Sequence, residues 1–376
     1  MMKKLICALL LFALLLGGCA KDSNPTVPST QATVPSTEAT AASTEATVPT
    51  TEATVPSTEA PTEAPTEAPT EPLPAFVNPL NGQGVDQLWT ARPFAVMHNN
   101  ISEAMPQVGI SQADIHYEIL AEGGITRCLC IYSDISKAPT LGSIRSARTY
   151  YVELARAYDA IYVHAGGSTS GEELIKTLGV NNISALTGYS SYFYRDENRL
   201  QTMAYEHTLM AKSSQLLAAL DQKGYAKTRE GGMDYNLRFR EDATPDGSAA
   251  SSVSVRFGEN GKLTSFQYDP ETRLYAASQY GTEYIDGETG EQITFTNVIA
   301  LRCDTTTLEG GLLDIRLTGE GDGFFACGGK TVPIHWSRDS RTGNFTYTLA
   351  DGSPLVLGRG RTYIAILPNS GTFTAE

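Results

Sequence analysis

The sequence predicts an α+β protein, with a layered α/β sandwich containing a βαβ unit over residues 76–240 and a mainly β domain over residues 241–376. Three observations carry this reading. Residues 114–122 alternate apolar and polar side chains up to a Gly-Gly pair, the period of a half-buried strand entering a tight turn. Residues 142–179 then read helix, strand, helix. Beyond the polar, small-residue stretch 241–252, short β-rich runs and turns dominate. About 300 residues are ample for two ordinary cores.

The chain opens with Lys3 and Lys4, an apolar run from Leu5 to Leu16, and Leu16-Gly17-Gly18-Cys19. A basic start, about a dozen apolar residues and small residues before a cysteine form a bacterial lipoprotein signal. Residues 1–18 are then cleaved and Cys19 is lipidated, with a second acyl chain such as palmitate on its glyceryl group. A spanning helix needs about 20 apolar residues, and here Lys21 and Asp22 follow at once. The expected location is the extracytoplasmic face of the cell membrane, held by the Cys19 lipid.

Residues 19–75 form the next segment, repeating Ala-Thr-Val-Pro-Ser-Thr-Glu (32–38 and 53–59) and Thr-Glu-Ala-Pro (58–61, 62–65 and 66–69). Lacking large apolar side chains, this segment cannot offset the entropy of folding and reads as a disordered tether. Its prolines favour polyproline II at about 3.1 Å per residue, a reach on the order of 170 Å if straight, which suits a spacer within the cell wall.

With 28 basic and 42 acidic residues the net charge is −14, or −16 once the two signal lysines are removed. An acidic surface argues against nucleic acid and against docking on anionic lipid, so any anion site must be a local pocket. Of six cysteines, Cys7 leaves with the signal and Cys19 is lipidated. Buried free thiols are the first reading for Cys128, Cys130, Cys303 and Cys327, and Cys303 with Cys327 is the pair to check for a disulfide. The five histidines are scattered, with no CxxC, HxH or HExxH spacing, so neither a metal site nor a cofactor is expected.

In the first domain, pairing of Glu122 with Ile125 across the Gly-Gly turn would set Leu120 opposite Arg127. Glu118 and Glu122 then lie diagonal to Arg127 on one face, leaving Ile115, Tyr117, Ile119, Cys128, Cys130 and Tyr132 for the core. A helix starting at Ser111 is the competing reading. Residues 142–150 lead into an amphipathic helix with Ala147, Tyr151, Leu154, Ala155 and Tyr158 on one stripe, capped by Ser143 or Ser146. The strand 160–165 follows, then a helix entered through Ser170-Gly171-Glu172-Glu173 and closed by Gly179. The two strand-to-helix loops belong at the same end of the sheet, where ligand sites of α/β folds form.

That geometry gathers candidates. Arg145 and Arg148, three apart at a helix start, project from one face beside unpaired backbone N–H groups and suit phosphate or carboxylate. Ion pairing with Glu118, Glu122, Glu153 or Asp159 is the equal alternative. Arg127, His164, Ser168 and Arg195 complete the expected ligand-binding set, and Glu118, Glu122, His164 and His207 are the acid–base candidates. The loop after His164 fails the GxSxG elbow, because Gly166-Gly167-Ser168-Thr169-Ser170 carries serine in place of the second glycine. A hydrogen-bonded structural histidine is the stronger reading of His164.

The second domain offers strands at 253–257, 262–268, 293–301, 313–317, 331–336, 344–349 and 362–367, with Glu259-Asn260-Gly261 as a hairpin turn. Glu320-Gly321-Asp322-Gly323 lacks the ligand spacing of an EF-hand loop and reads as a plain turn.

Several motifs together point to a family. Arg92-Pro93-Phe94-Ala95-Val96-Met97, Glu122-Gly123-Gly124-Ile125-Thr126-Arg127, Ile144-Arg145-Ser146-Ala147-Arg148, Tyr162-Val163-His164-Ala165-Gly166-Gly167-Ser168 and Gly360-Arg361-Thr362-Tyr363-Ile364 resemble the YerB-like lipoproteins of Gram-positive bacteria, from about Pro79 to Pro368. The resemblance implies a two-domain layered α/β architecture and an envelope lipoprotein of a family whose function is unknown. Departures are His98-Asn99-Asn100, where the family has an Asp-Asn pair, and Ser143 and Thr149, where it has prolines. The functional expectation is a tethered domain that binds an anionic envelope component, such as a wall-polymer phosphate or a peptide carboxylate, or a partner protein. The alternative is an envelope hydrolase using Glu118 or Glu122 with His164 or His207.

Overall fold

The structure, a computed structural model, describes residues 74–188 and 190–376, so the signal, Cys19 and the tether up to residue 73 lie outside the described residues. The main sheet contains β1 (Phe94–Asn100), β2 (Ile115–Leu120), β3 (Thr126–Tyr132), β4 (Ile161–His164), β5 (Asn182–Ser184), β6 (Asn297–Arg302), β7 (Gly319–Cys327), β8 (Lys330–Arg338) and β9 (Thr362–Leu367). Their spatial order is β8-β7-β6-β9-β2-β3-β1-β4-β5. The sheet crosses the sequence seam at 241–252, because β9 pairs in parallel with β6 on one side and with β2 on the other. Strands β1, β2, β3 and β9 are buried at every position, which explains their runs of large apolar residues.

Among the described residues four α-helices accompany the sheet: α1 (Thr149–Ala157), α2 (Thr169–Thr177), α3 (Glu197–Thr202) and α4 (Ser213–Lys223). The expected stripe of α1 is buried, and its Tyr151 hydroxyl donates to the Ile119 carbonyl at 2.9 Å, fixing the helix on β2. Neither Ser143 nor Ser146 caps it. Arg148 takes the N-cap position in extended conformation, without a side-chain cap. In α2 the cap is Ser168, whose Oγ accepts the Gly171 N–H at 3.1 Å, two residues before the position that the capping-box pattern marks.

A second sheet, with Ser252–Arg256, Leu263–Asp269, Leu274–Gln279 and Thr372–Ala375 at its centre, packs on the first. Its alternating Val253, Val255, Phe266, Tyr275 and Ala277 are buried, and the Phe266 ring lies 4.7 Å from that of Tyr363 in β9. One expected turn is a strand: residues 320–323 belong to β7. Gly321 pairs with Trp336, and a Cβ there would meet the indole at 2.8 Å, so this glycine makes room for a ring across the ladder. A helix from Ser111 is likewise replaced by a single 3-10 turn, Ile110–Gln112, before β2. All four described cysteines are buried free thiols. Among the described residues no helix is long and apolar enough to cross a membrane.

Candidate functional site

The β2–β3 turn decides which side chains meet. The Ala121 N–H donates to the Ile125 carbonyl at 2.8 Å, closing a three-residue turn over Glu122, Gly123 and Gly124. Both glycines have left-handed φ, 72° and 74°, and a Cβ on either would meet nothing within 4 Å, so conformation rather than space requires them. Ile119 therefore stands opposite Arg127, and Leu120 opposite Thr126. This corrects the expected register by one residue, and a one-residue slip exchanges the faces. Arg127 shares its face with Tyr117 and Ile119. Glu118 shares the other with His116, Cys128 and Cys130.

On the Arg127 face the two strand-to-helix loops run together, through Ala165 N–H to the Arg145 carbonyl at 3.0 Å and Ala147 N–H to the Gly166 carbonyl at 2.8 Å. The arginine loop also lies along β1, with Asn99 N–H donating to Ser143 O at 2.9 Å and Arg145 N–H to Met97 O at 3.1 Å. Three guanidinium groups converge there. Arg148 forks onto Glu122, with Nη2 donating to Oε2 at 2.7 Å and Nε to Oε1. Arg127, only 5% exposed, donates through Nη2 to the same Glu122 at 3.4 Å and through Nη1 to Ser146 O at 3.1 Å. Arg145 donates to the Glu206 carbonyl at 3.3 Å and lies 4.0 Å from the Glu206 carboxylate, which is 61% exposed and correspondingly weak as a counter-ion.

The cluster is short of negative charge. Among the described residues, Glu122 is the one carboxylate within 4.0 Å of Arg127 or Arg148. The Nε–H groups of Arg127 and Arg145 have no partner there. An unpaired buried donor costs about 1–3 kcal/mol, and more when charged. Burial, then the charge of Arg127, pulls the Arg145 pKa below its ordinary value. Beside Arg145, burial and the Arg145 charge likewise lower His207, whose Nδ1 meets the Asn99 amide nitrogen at 2.9 Å. In the orientation that pairs these nitrogens, the Asn99 Oδ1 has no partner among the described residues. In the sequence Asn99 is marked only as part of His98-Asn99-Asn100, the departure from the Asp-Asn pair that the resemblance leads one to expect, and by its place at the polar end of a buried strand.

The other candidates lie apart or are engaged. Glu118 is completely buried on the opposite face, its Oε1 accepting from Lys262 Nζ at 2.6 Å and Thr126 at 2.7 Å, its Oε2 from Tyr363 at 2.8 Å and Thr264 at 2.9 Å. His164 is buried, with Nδ1 at 2.8 Å from Gly166 O and Nε2 at 3.3 Å from Asn182 Oδ1. Ser168 is the α2 cap. Arg195 lies 3.8 Å over the Tyr205 ring and donates to the Tyr205 carbonyl at 2.6 Å. A cavity of about 550 Å³ opens elsewhere, lined by Asp114, Lys137, Glu291, Thr294 and Arg361. Charges of both signs face it, and Arg361 is held by Ser111 O and Thr294 Oγ1. The arginine cluster is the more one-sided electrostatic feature.

Residues 80–226 match the N-terminal domain, and residues 253–364 the C-terminal domain, of the family described as "Protein of unknown function (DUF3048)". The chain is 30% identical over 296 residues to "Putative lipoprotein YerB" of Bacillus subtilis (strain 168), covering 77% of this chain and 86% of that one. It also matches the crystal structure of the Bacillus subtilis YerB protein with a TM-score of 0.69 at 28% identity, over 79% of this chain and 99% of that one.

Proposed function

Because the chain belongs to the YerB-like family, whose two domains are described by DUF3048, we propose that it is an extracytoplasmic lipoprotein anchored through Cys19, and that Arg127, Arg145 and Arg148 bind an anionic group of an envelope ligand. The anchoring half rests on the cysteine-terminated signal together with the lipoprotein relative. Membrane fractionation tests it: Cys19→Ala is expected to lose lipid labelling and leave the membrane fraction, and unchanged labelling would overturn the assignment.

The binding half rests on one observation, three converging guanidinium groups of which two share Glu122 and the third has only the exposed Glu206 carboxylate at 4.0 Å, with two Nε–H groups left unpartnered among the described residues. An anion supplies the acceptors that the cluster lacks, and charge-assisted hydrogen bonds of this kind contribute about 1.5–3 kcal/mol each. Titration of the full chain with inorganic phosphate and with a short acetylated peptide ending in a free carboxylate tests it. Arg127→Gln and Arg145→Gln are each expected to weaken whichever anion binds by tenfold or more. Binding that neither change weakens would place the site elsewhere. Acid–base hydrolysis fits less well. Glu118 has both oxygens filled by donors, and the hydrogen bonds and charge of Arg148 overcome burial to hold Glu122 below the usual carboxylate range, which disfavours it as a proton donor.

A further inference from the structure

Glu122 stands where an incoming anion would. Its oxygens take Nε and Nη2 of Arg148 and Nη2 of Arg127, the fork through which arginine binds a planar carboxylate. It sits at the tip of a hairpin whose Gly123 and Gly124 are exposed, and a Cβ on either would meet nothing within 4 Å, so no side chain packs against the turn at these two positions. The arginines, for their part, do not depend on Glu122 for their aim. Arg148 Nη1 also donates to Ala147 O at 2.6 Å, and Arg127 Nη1 to Ser146 O at 3.1 Å, backbone atoms of the loop that carries the site.

We propose that this site takes the free carboxylate of a peptide by exchange with Glu122, the hairpin acid being a built-in occupant that the ligand displaces. The proposal rests on the anion-binding reading above and names its ligand. A carboxylate replaces Glu122 like for like, with two coplanar oxygens on the same N–H pair. Exposed apolar side chains on the neighbouring loops give the rest of a peptide something to touch. Leu186, 67% exposed, lies against Gly166, whose carbonyl accepts the Ala147 N–H. Tyr205, 66% exposed, directly precedes the Glu206 that contacts Arg145.

The test uses the full chain in detergent and three probes: a short acetylated peptide with a free C-terminal carboxylate, the same peptide as its amide, and inorganic phosphate. The carboxylate peptide is expected to bind and the amide to fail. Glu122→Gln is expected to tighten the carboxylate peptide about tenfold, the gain from removing a competitor that holds the site nine-tenths of the time. Glu122→Asp, which keeps the charge on a shorter arm, should tighten it less, and carries the test if Glu122→Gln does not fold. Unchanged or weaker binding in both variants overturns the exchange, as does equal binding of the amide or a preference for phosphate. If phosphate binds and Arg145→Gln abolishes it while Glu122→Gln has no effect, the exchange alone is lost. If neither anion binds the wild-type chain or Glu122→Gln, the anion-site reading falls with it.

Discussion

Glu118 and Glu122 lie four residues apart on one hairpin and end in opposite circumstances. Glu118 is completely buried, and each of its oxygens accepts two donors, so its pair with Lys262 is closed on every side. Glu122 is a quarter exposed and serves guanidinium groups that hold more donors than it can fill. Burial alone would raise both carboxyl groups; Lys262 and its neighbours offset this for Glu118, and Arg148 followed by Arg127 for Glu122, leaving both below the ordinary value. A saturated acid joins parts of the fold. A surplus of donors around an acid leaves chemistry unspent.

The contrast breaks most visibly at Lys262. Lys262→Met strands the Glu118 carboxylate in the interior and is expected to lower unfolding free energy by about 3–5 kcal/mol in urea titration. The joint change Lys262→Met with Glu118→Leu should recover much of that loss, because an apolar pair needs no donors. A single-mutant loss below about 1 kcal/mol would mean that the pair is not closed as described.

Acid sharpens the comparison at an intermediate scale. His116 shares the Glu118 face, and burial lowers its pKa to about 3; His98, beside Gly142 and Tyr132, is lowered to about 4. Between the ordinary imidazole value of 6.5 and these folded values, the unfolded chain binds more protons, so stability present above pH 6.5 is lost as pH falls toward 3. The two glutamates add a further loss as pH falls through their lowered values. Neither ring nitrogen of His116 has a partner among the described residues, and the rings of Tyr284, Phe295 and Tyr363 surround it. His116→Phe is therefore expected to flatten this acid limb while changing stability at pH 7 by about 1 kcal/mol or less. Melting curves across a pH series check it; an unaltered slope would refute a buried neutral imidazole.

The smallest effect belongs to the open cluster. Arg145→Gln removes a charge that lacks a close carboxylate and is expected to cost about 1 kcal/mol or less of stability. A loss as large as that of Lys262→Met would erase the distinction between the two regions.

Much of the scaffold was legible from period and punctuation. Thr362–Leu367 is a strand with the bounds its apolar run implies, and the α1 stripe is buried as its spacing predicts. The two loops that enter α1 and α2 do meet, but not through a parallel pair of strands: the first leaves Thr140–Gly142, which pairs antiparallel with Leu209–Lys212 in a separate sheet, and reaches the β4 end by lying along β1. The site itself turned on a single residue of register. Gly123-Gly124 marks a turn without saying whether two or three residues occupy it, and that count moves Arg127 from the Glu118 face to the other. Lys262, 144 residues from Glu118, carries no local signal of its partner. The strand over 319–327 hid among glycines and acids, because its requirement for small residues comes from Trp336 on the next strand.

The placement of β9 between β2 and β6 has a consequence for how such a chain is made. Tyr363 hydrogen-bonds to Glu118 across 245 positions of sequence, and the two strands that carry them lie side by side in the middle of the sheet. At about 5–20 residues per second, β2 leaves the ribosome on the order of ten to fifty seconds before its neighbour exists. Throughout that interval a strand destined for burial at all six positions has one edge bare, a template for pairing with the wrong chain. The topology therefore favours a polypeptide kept unfolded until synthesis is over. A premature stop before residue 362 yields an unfinished edge rather than a smaller working protein, and clearance by proteolysis is its expected fate.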